Sequence, residues 1–200
     1  MSEIKFLHSG GNGVTISAPS SNPAADRTLT LPGDADGTIL TSNSATGKVL
    51  QIQETVKSDT TSANLENTWQ DISGMSVSIT PASASNKILV LATVNVGVQH
   101  GYYYVLRLQK GGSPIFVGAN LSNRSGGFAG KYDTGSNYTI HTDNMHFTDT
   151  AGGTSAITYN IGWYNPYLSS TRYLNRTADD SNNDYRFRTA SSITVMEIAA

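Results

Sequence analysis

The residues whose types and spacing could do chemistry are histidines, acids and serines. His141-Thr-Asp143-Asn-Met-His146 brings two imidazoles and a carboxylate into one short segment, donors of the kind that hold a transition metal. On a strand, successive side chains point to opposite faces, so His141 and Asp143 share one face and His146 takes the other. His8 and His100 stand in unrelated segments. The spacing predicts polar strand or subunit-axis histidines and no metal. Asp179, Asp180 and Asp184 crowd a polar stretch. Glycoside hydrolysis needs two carboxylates set across a scissile bond, whereas adjacent acids in a loop diverge, so a solvated turn is expected. Serines are many, but no Gly-x-Ser-x-Gly elbow accompanies them. Gly126-Gly127 and Gly10-Gly11-Asn12-Gly13 lack the lysine and following helix of a phosphate loop. There is no cysteine, which excludes thiol nucleophiles, disulfides and Cys-based zinc sites together. The sequence predicts neither an enzyme nor a cofactor.

Aromatic residues form the other suggestive group. Tyr102-Tyr103-Tyr104 sets Tyr103 on the face opposite its neighbours. Trp163-Tyr164-Asn165-Pro166-Tyr167, followed by Arg172-Tyr173 and Arg176, reads as a loop region rich in tyrosine and arginine. Those types dominate interface hot spots, and aromatic faces stack on sugars. Tyr103, Tyr164, Tyr167, Arg172 and Tyr173 are therefore the candidate contact residues, for subunit packing first and for a host surface glycan second. Asn123-Arg-Ser125, Asn137-Tyr-Thr139 and Asn175-Arg-Thr177 match the glycosylation pattern and are read as chance.

Composition limits the partners. Only 14% of the residues are charged and 38% are hydrophobic, against about a quarter charged in ordinary soluble domains. Ser, Thr, Asn and Gly fill the difference, which suits extended β-structure in a rigid assembly. The net charge is −2, and the 13 basic residues are scattered. Phosphate-backbone binding needs them clustered, so no nucleic-acid partner is expected. No stretch approaches the roughly 18–20 apolar residues of a membrane span. The first residues lack the apolar core of a signal peptide, so the expected product is made in the cytoplasm.

The elements that must position these residues are strands throughout. Residues 1–47 read as a thin extended segment: Val14-Thr-Ile-Ser-Ala-Pro19, Thr28-Leu-Thr-Leu-Pro32 and Thr38-Ile-Leu-Thr41, punctuated by proline and glycine turns. Each strand offers few apolar residues, at about 2 kcal/mol apiece when buried. That does not offset the ordering entropy, so the segment must dock elsewhere, through Val14, Ile16, Leu29, Leu31, Ile39 and Leu40.

From residue 48 to 200 the strands lengthen into one domain. Val49 to Val56 puts Leu50, Ile52 and Val56 on one face, with Glu54 an exception. Trp69–Ile72 and Met75–Thr80 flank Gly74. Lys87 to Val98 sets Ile88, Val90, Ala92, Val94, Val96 and Val98 on one face, and Leu89 and Leu91 begin the other before it turns polar. Apolar residues on both faces mark a central strand or one at a subunit contact. Tyr102–Gln109 and Ile115–Val117 form a hairpin, Gly118–Gly135 a loop, and Thr139–Thr148, Ala156–Trp163 and Ser192–Ile198 later strands. No window has helical periodicity. The fold class is all-β: a C-terminal antiparallel sandwich of jelly-roll type, preceded by an extended segment of short strands.

Ser85-Asn-Lys-Ile-Leu-Val-Leu, Tyr104-Val-Leu-Arg-Leu-Gln-Lys-Gly-Gly-Ser-Pro-Ile and Ser155-Ala-Ile-Thr-Tyr-Asn-Ile resemble the core strands of trimeric jelly-roll domains in phage fibre and decoration proteins. The same strand grammar occurs in the C1q and tumour-necrosis-factor group. Ser191-Ser-Ile-Thr-Val-Met-Glu-Ile-Ala is similar to the closing strand of many phage virion proteins. Gly13-Val-Thr-Ile-Ser-Ala-Pro, Thr28-Leu-Thr-Leu-Pro and Gly37-Thr-Ile-Leu-Thr resemble segments of phage tail-fibre and capsid-surface proteins. The resemblance implies a bacteriophage virion surface protein, a homotrimer bound to capsid or tail proteins by its N-terminal segment, with the sandwich outward. The absence of a long repeat shaft ranks capsid decoration ahead of a short tail fibre that binds host receptor or glycan.

Overall fold

The computed structural model describes residues 3–7, 9–17, 47–119, 122–166 and 169–200. Among them there is no helix, and the strands are β1 (Glu3–Leu7), β2 (Gly13–Ser17), β3 (Val49–Lys57), β4 (Thr61–Leu65), β5 (Gln70–Ile79), β6 (Lys87–Val98), β7 (Tyr103–Lys110), β8 (Ser113–Ile115), β9 (Ala129–Tyr132), β10 (Ile140–Thr150), β11 (Ile157–Tyr164), β12 (Ser170–Leu174) and β13 (Ser191–Ile198). The fold is all-β, as its alternating sequence predicts. The chain divides into a unit of Met1–Thr41 and one of Ser42–Ala200. Leu29, Leu31, Ile39, Leu40 and Tyr167, with the strands expected at 28–31 and 38–41, lie outside the described residues.

In the first unit β1 pairs antiparallel with β2, opposing Ile4 to Ile16 and Phe6 to Val14. These cross-strand pairs share one face of a two-stranded ribbon. All of them are solvent-exposed: Ile4 62%, Phe6 60%, Val14 69% and Ile16 52%. A two-stranded hairpin is marginally stable in water by itself, and among the described residues nothing covers this apolar face.

The second unit is a sandwich of two antiparallel sheets. One runs β3-β13-β6-β12-β4, with β10 on the other edge of β6; the second runs β5-β11-β7-β8, with β9 also on β7. Successive strands β5, β6, β7, β10, β11 and β13 cross from one sheet to the other, the jelly-roll pattern of connection. β6 is central because both its edges are paired. Its inward set, Ile88 to Val98 at alternate positions, is buried against Ile72, Met75, Val77 and Ile79 of β5, Tyr104, Leu106 and Leu108 of β7, and Tyr159, Ile161 and Trp163 of β11. Each such side chain contributes about 1.5–3 kcal/mol by burial.

The two short strands flanking Gly74 are one strand with a bulge. Its register on β11 shifts between Asn160 and Gly162, and Gly74 takes φ +81°, where a side chain is strained. Four short strands carry no clear periodic signal or were read otherwise: β1, β4, β9 and β12. β9 falls inside the stretch Gly118–Gly135 expected to be loop. Arg172 and Tyr173 sit on β12, and Trp163 and Tyr164 on β11, so the expected aromatic loop is strand on both sides of residue 166.

Buried polar groups join the sheets. Tyr104 Oη on β7 donates to Asp143 Oδ2 on β10 at 2.6 Å, and Lys131 Nζ on β9 pairs with Asp143 Oδ1 at 2.9 Å. Further along β10, Tyr159 Oη donates to Asp149 Oδ2 at 2.7 Å and Lys110 Nζ lies 2.6 Å from the same oxygen. Burial and the carboxylate to which each donates push both phenols well above the ordinary tyrosine range. At one end, buried Glu197 on β13 accepts from Asn86 Nδ2 at 2.6 Å, Gln51 Nε2 at 2.6 Å and the Ala82 amide at 2.7 Å.

Candidate functional site

Register across the larger sheet fixes what its outer face presents. Ile52 opposes Met196, Met196 opposes Leu89, and Leu89 opposes Thr148; one row along lie Glu54, Thr194, Leu91 and His146. Thr194 Oγ1 donates to Glu54 Oε1 at 3.0 Å, which places both on that face. β3 is inverted relative to the usual pattern: Leu50, Ile52 and Val56 are 41%, 55% and 59% exposed, while Lys57 is buried. Leu89, Leu91, Met196 and Ile198 continue the apolar field, each half-buried. Thr93, Asn144 and Ser192 make its far end polar.

The candidate contact residues do not form one cluster. Tyr103 and Tyr164 share the outer face of the smaller sheet with Val105, which is two residues from Tyr103 on β7 and opposes Tyr164 in register. The Tyr103 ring lies 4.4 Å from that of Tyr132. Tyr173 is on the other sheet, with the Arg176 guanidinium 4.1 Å from its ring centre. Arg172 is not a surface residue: it is fully buried. Its Nη1 donates to Ser170 Oγ at 2.9 Å and to the Thr171 carbonyl at 3.2 Å, while Nε and Nη2 have no partner among the described residues. Burial lowers its pKa to about 10, against small opposing effects of Tyr102 and Tyr173. Because β12 alternates, Ser170, Arg172 and Leu174 point inward and Thr171 and Tyr173 outward.

His141 and Asp143 do share the inward face of β10, and His146 points outward. His141 Nε2 lies 3.4 Å from Asp133 Oδ1. Among the described residues no group of His, Asp and Glu is arranged to hold a metal ion. Asp179 and Asp180 turn to separate arginines, Arg186 at 2.7 Å and Arg188 at 2.7 Å. The hydrogen bonds from Arg186 and Ser181 hold Asp179 down at about 2.

One concavity formed by the described residues was not anticipated from sequence. It is a cleft of about 340 Å³ lined by Trp69, Arg107, Asn123, Arg124 and Ser125 among others. Its base is built by the register of the smaller sheet. Arg107 on β7 opposes Gly162 on β11, and a Cβ at Gly162 would stand 3.5 Å from Arg107 Nε and 3.3 Å from the Gln70 carbonyl. The Arg107 guanidinium lies over the Trp69 ring. Its carbon lies 4.1 Å from the Trp69 ring centre, and Trp69 stacks on Tyr164 at 5.1 Å and 22°. Arg107 Nε donates to Gln109 Oε1 at 2.6 Å, and Gln109 Nε2 donates to Asp71 Oδ1 at 2.6 Å. Partial burial lowers the Arg107 pKa, and Asp71 works against that shift. Arg107 and Gln109, two apart on the polar face of β7 and opposite a glycine, were the signal in the sequence.

No protein-family model matches this chain, and no curated protein matches it in sequence.

Proposed function

We propose that this chain is a non-enzymatic structural protein of a bacteriophage particle, present on the virion surface as a homotrimer that docks through its N-terminal segment. The observation that carries the reading is the inverted strand β3, whose Leu50, Ile52 and Val56 stand in solvent beside Met196 and Leu89. A sheet that is apolar on both faces needs a cover, and copies of the same chain supply one of matching chemistry. The bare apolar face of the β1–β2 hairpin supports docking on a second surface, that of capsid or tail proteins. The phage setting itself comes from the resemblance of the strand segments quoted above.

Capsid decoration is the first placement and a short tail fibre the second. The Trp69–Arg107 cleft favours the tail fibre, since a protein that only stiffens a shell has no use for a ligand pocket. Cryo-electron microscopy of the parent particle tests the reading: trimeric density on the capsid lattice supports decoration, density confined to the tail supports the fibre, and absence from the purified virion overturns both. A Phe6→Asp chain, altered only in the exposed hairpin, should lose particle attachment while its sandwich melts unchanged. Full attachment of that variant would remove the hairpin from the docking surface.

A further inference from the structure

We propose that the cleft between Trp69 and Arg124 binds the carboxylate-bearing ring of an acidic saccharide. Electrostatics supply the first reason. Among the described residues the cleft is lined by Arg107 and Arg124 and by no aspartate or glutamate, on a chain whose net charge is −2. Neither arginine is neutralised: Arg107 gives only Nε to Gln109, and Arg124 makes no hydrogen bond or ion pair among the described residues. A planar guanidinium with free terminal nitrogens is the side chain best matched to a carboxylate.

Preorganisation supplies the second reason. Arg107 is held from two directions, by Trp69 against its plane and by Gln109 at Nε. The Asp71–Gln109 bond fixes Gln109 in turn. A surface arginine of no function rarely has its rotamer set by so many neighbours, and fixing it beforehand lowers the entropy lost on binding.

Size and lining supply the third. A cleft of about 340 Å³ is at the small end of the range for organic ligands, about 300–1,000 Å³, and has room beyond a bare oxyanion. Asn123 and Ser125 offer amide and hydroxyl groups for sugar hydroxyls, and the edge of Trp69 offers an apolar wall. The site stands apart from the outer face of the larger sheet, so it does not depend on the trimer reading.

The test is a titration of the full-length chain with a uronic-acid trisaccharide, the neutral glucose trisaccharide maltotriose, and sodium sulfate at equal ionic strength, followed by tryptophan fluorescence and calorimetry. Of the two tryptophans, Trp163 is buried, so a change in emission reports on Trp69. The expected result is saturable binding of the acidic trisaccharide alone, weakened about tenfold or more by Arg124→Gln through loss of one charge-assisted contact, and unaffected by Arg188→Gln outside the cleft. Arg124 is exposed and has no hydrogen bond or ion pair among the described residues, so its substitution leaves folding intact. Equal binding of sulfate would mean a simple anion site, equal binding of maltotriose a neutral-sugar site, and no binding no site; each of these overturns the proposal.

Discussion

Tyr104 on β7 and Asp143 on β10 meet across the interior of the sandwich, the phenol donating to Oδ2 at 2.6 Å. A charge-assisted hydrogen bond between the sheets sets their separation in a way that apolar contacts, which have no direction, do not. Lys131 satisfies the second oxygen, so the carboxylate is buried with partners on both sides. Tyr159, Asp149 and Lys110 repeat the arrangement further along β10. Among the described residues β10 pairs only with β6, and these two clamps hold it to the opposite sheet.

Tyr104→Phe removes the donor and keeps the ring. The expected loss is about 1.5–3 kcal/mol, the range for a hydrogen bond to a charged group, read as a lower urea midpoint with unchanged slope. Tyr159→Phe should cost less, because Asp149 is less buried and keeps Lys110 on the same oxygen. A Tyr104→Phe chain as stable as the parent would show that packing alone sets the sheet separation.

Acid should weaken the fold through Asp149 and Glu197. Burial pushes both carboxyls up, but the bonds from Lys110 and Tyr159 to Asp149, and from Asn86, Gln51 and the Ala82 amide to Glu197, outweigh it and hold both below their ordinary values of 3.8 and 4.5. A depressed folded pKa stabilises fully above the unfolded value and is lost as pH falls through the folded one. Stability should therefore be level above about pH 5 and fall below pH 4.5. Glu197→Gln, which turns an amide N–H toward donors, should destabilise at neutral pH and flatten the acid limb in melts across this range.

Arg172 was expected to touch a partner and instead lies inside the fold, a cation with no carboxylate partner among the described residues. Replacing a buried, incompletely paired charge with an apolar side chain of similar length is neutral or stabilising by about 1–4 kcal/mol. Arg172→Met should hold or raise the thermal midpoint and leave any particle or host binding unchanged. Loss of binding with an intact fold would return Arg172 to the contact surface.

The elements legible in the sequence are those that bury one complete face. β6, β10, β11 and β13 run eight or more residues, and in β6 and β11 the apolar residues at alternate positions, Ile88 to Val98 and Tyr159, Ile161 and Trp163, are the ones the fold buries. β4, Thr61-Ser-Ala-Asn-Leu65, and β12, Ser170-Thr-Arg-Tyr-Leu174, are short and polar. Their pairing is a property of neighbours distant in sequence. β3 shows the other limit: alternation reveals that Leu50, Ile52 and Val56 share a face but not that the face points outward. The Trp69–Arg107 cleft was hidden for the same reason, since it joins Trp69, just before β5, and Arg107 on β7 with β8 and the segment after it.

The mass of the full-length chain in solution, measured by light scattering at micromolar concentration beside an Ile52→Glu variant, tests self-association through β3 most directly. Ile52 is more than half exposed, so the charge leaves the protomer folded. The parent should have three chain masses and the variant one, with the same circular dichroism spectrum. A monomeric parent, or a variant that remains trimeric, would contradict assembly through this face.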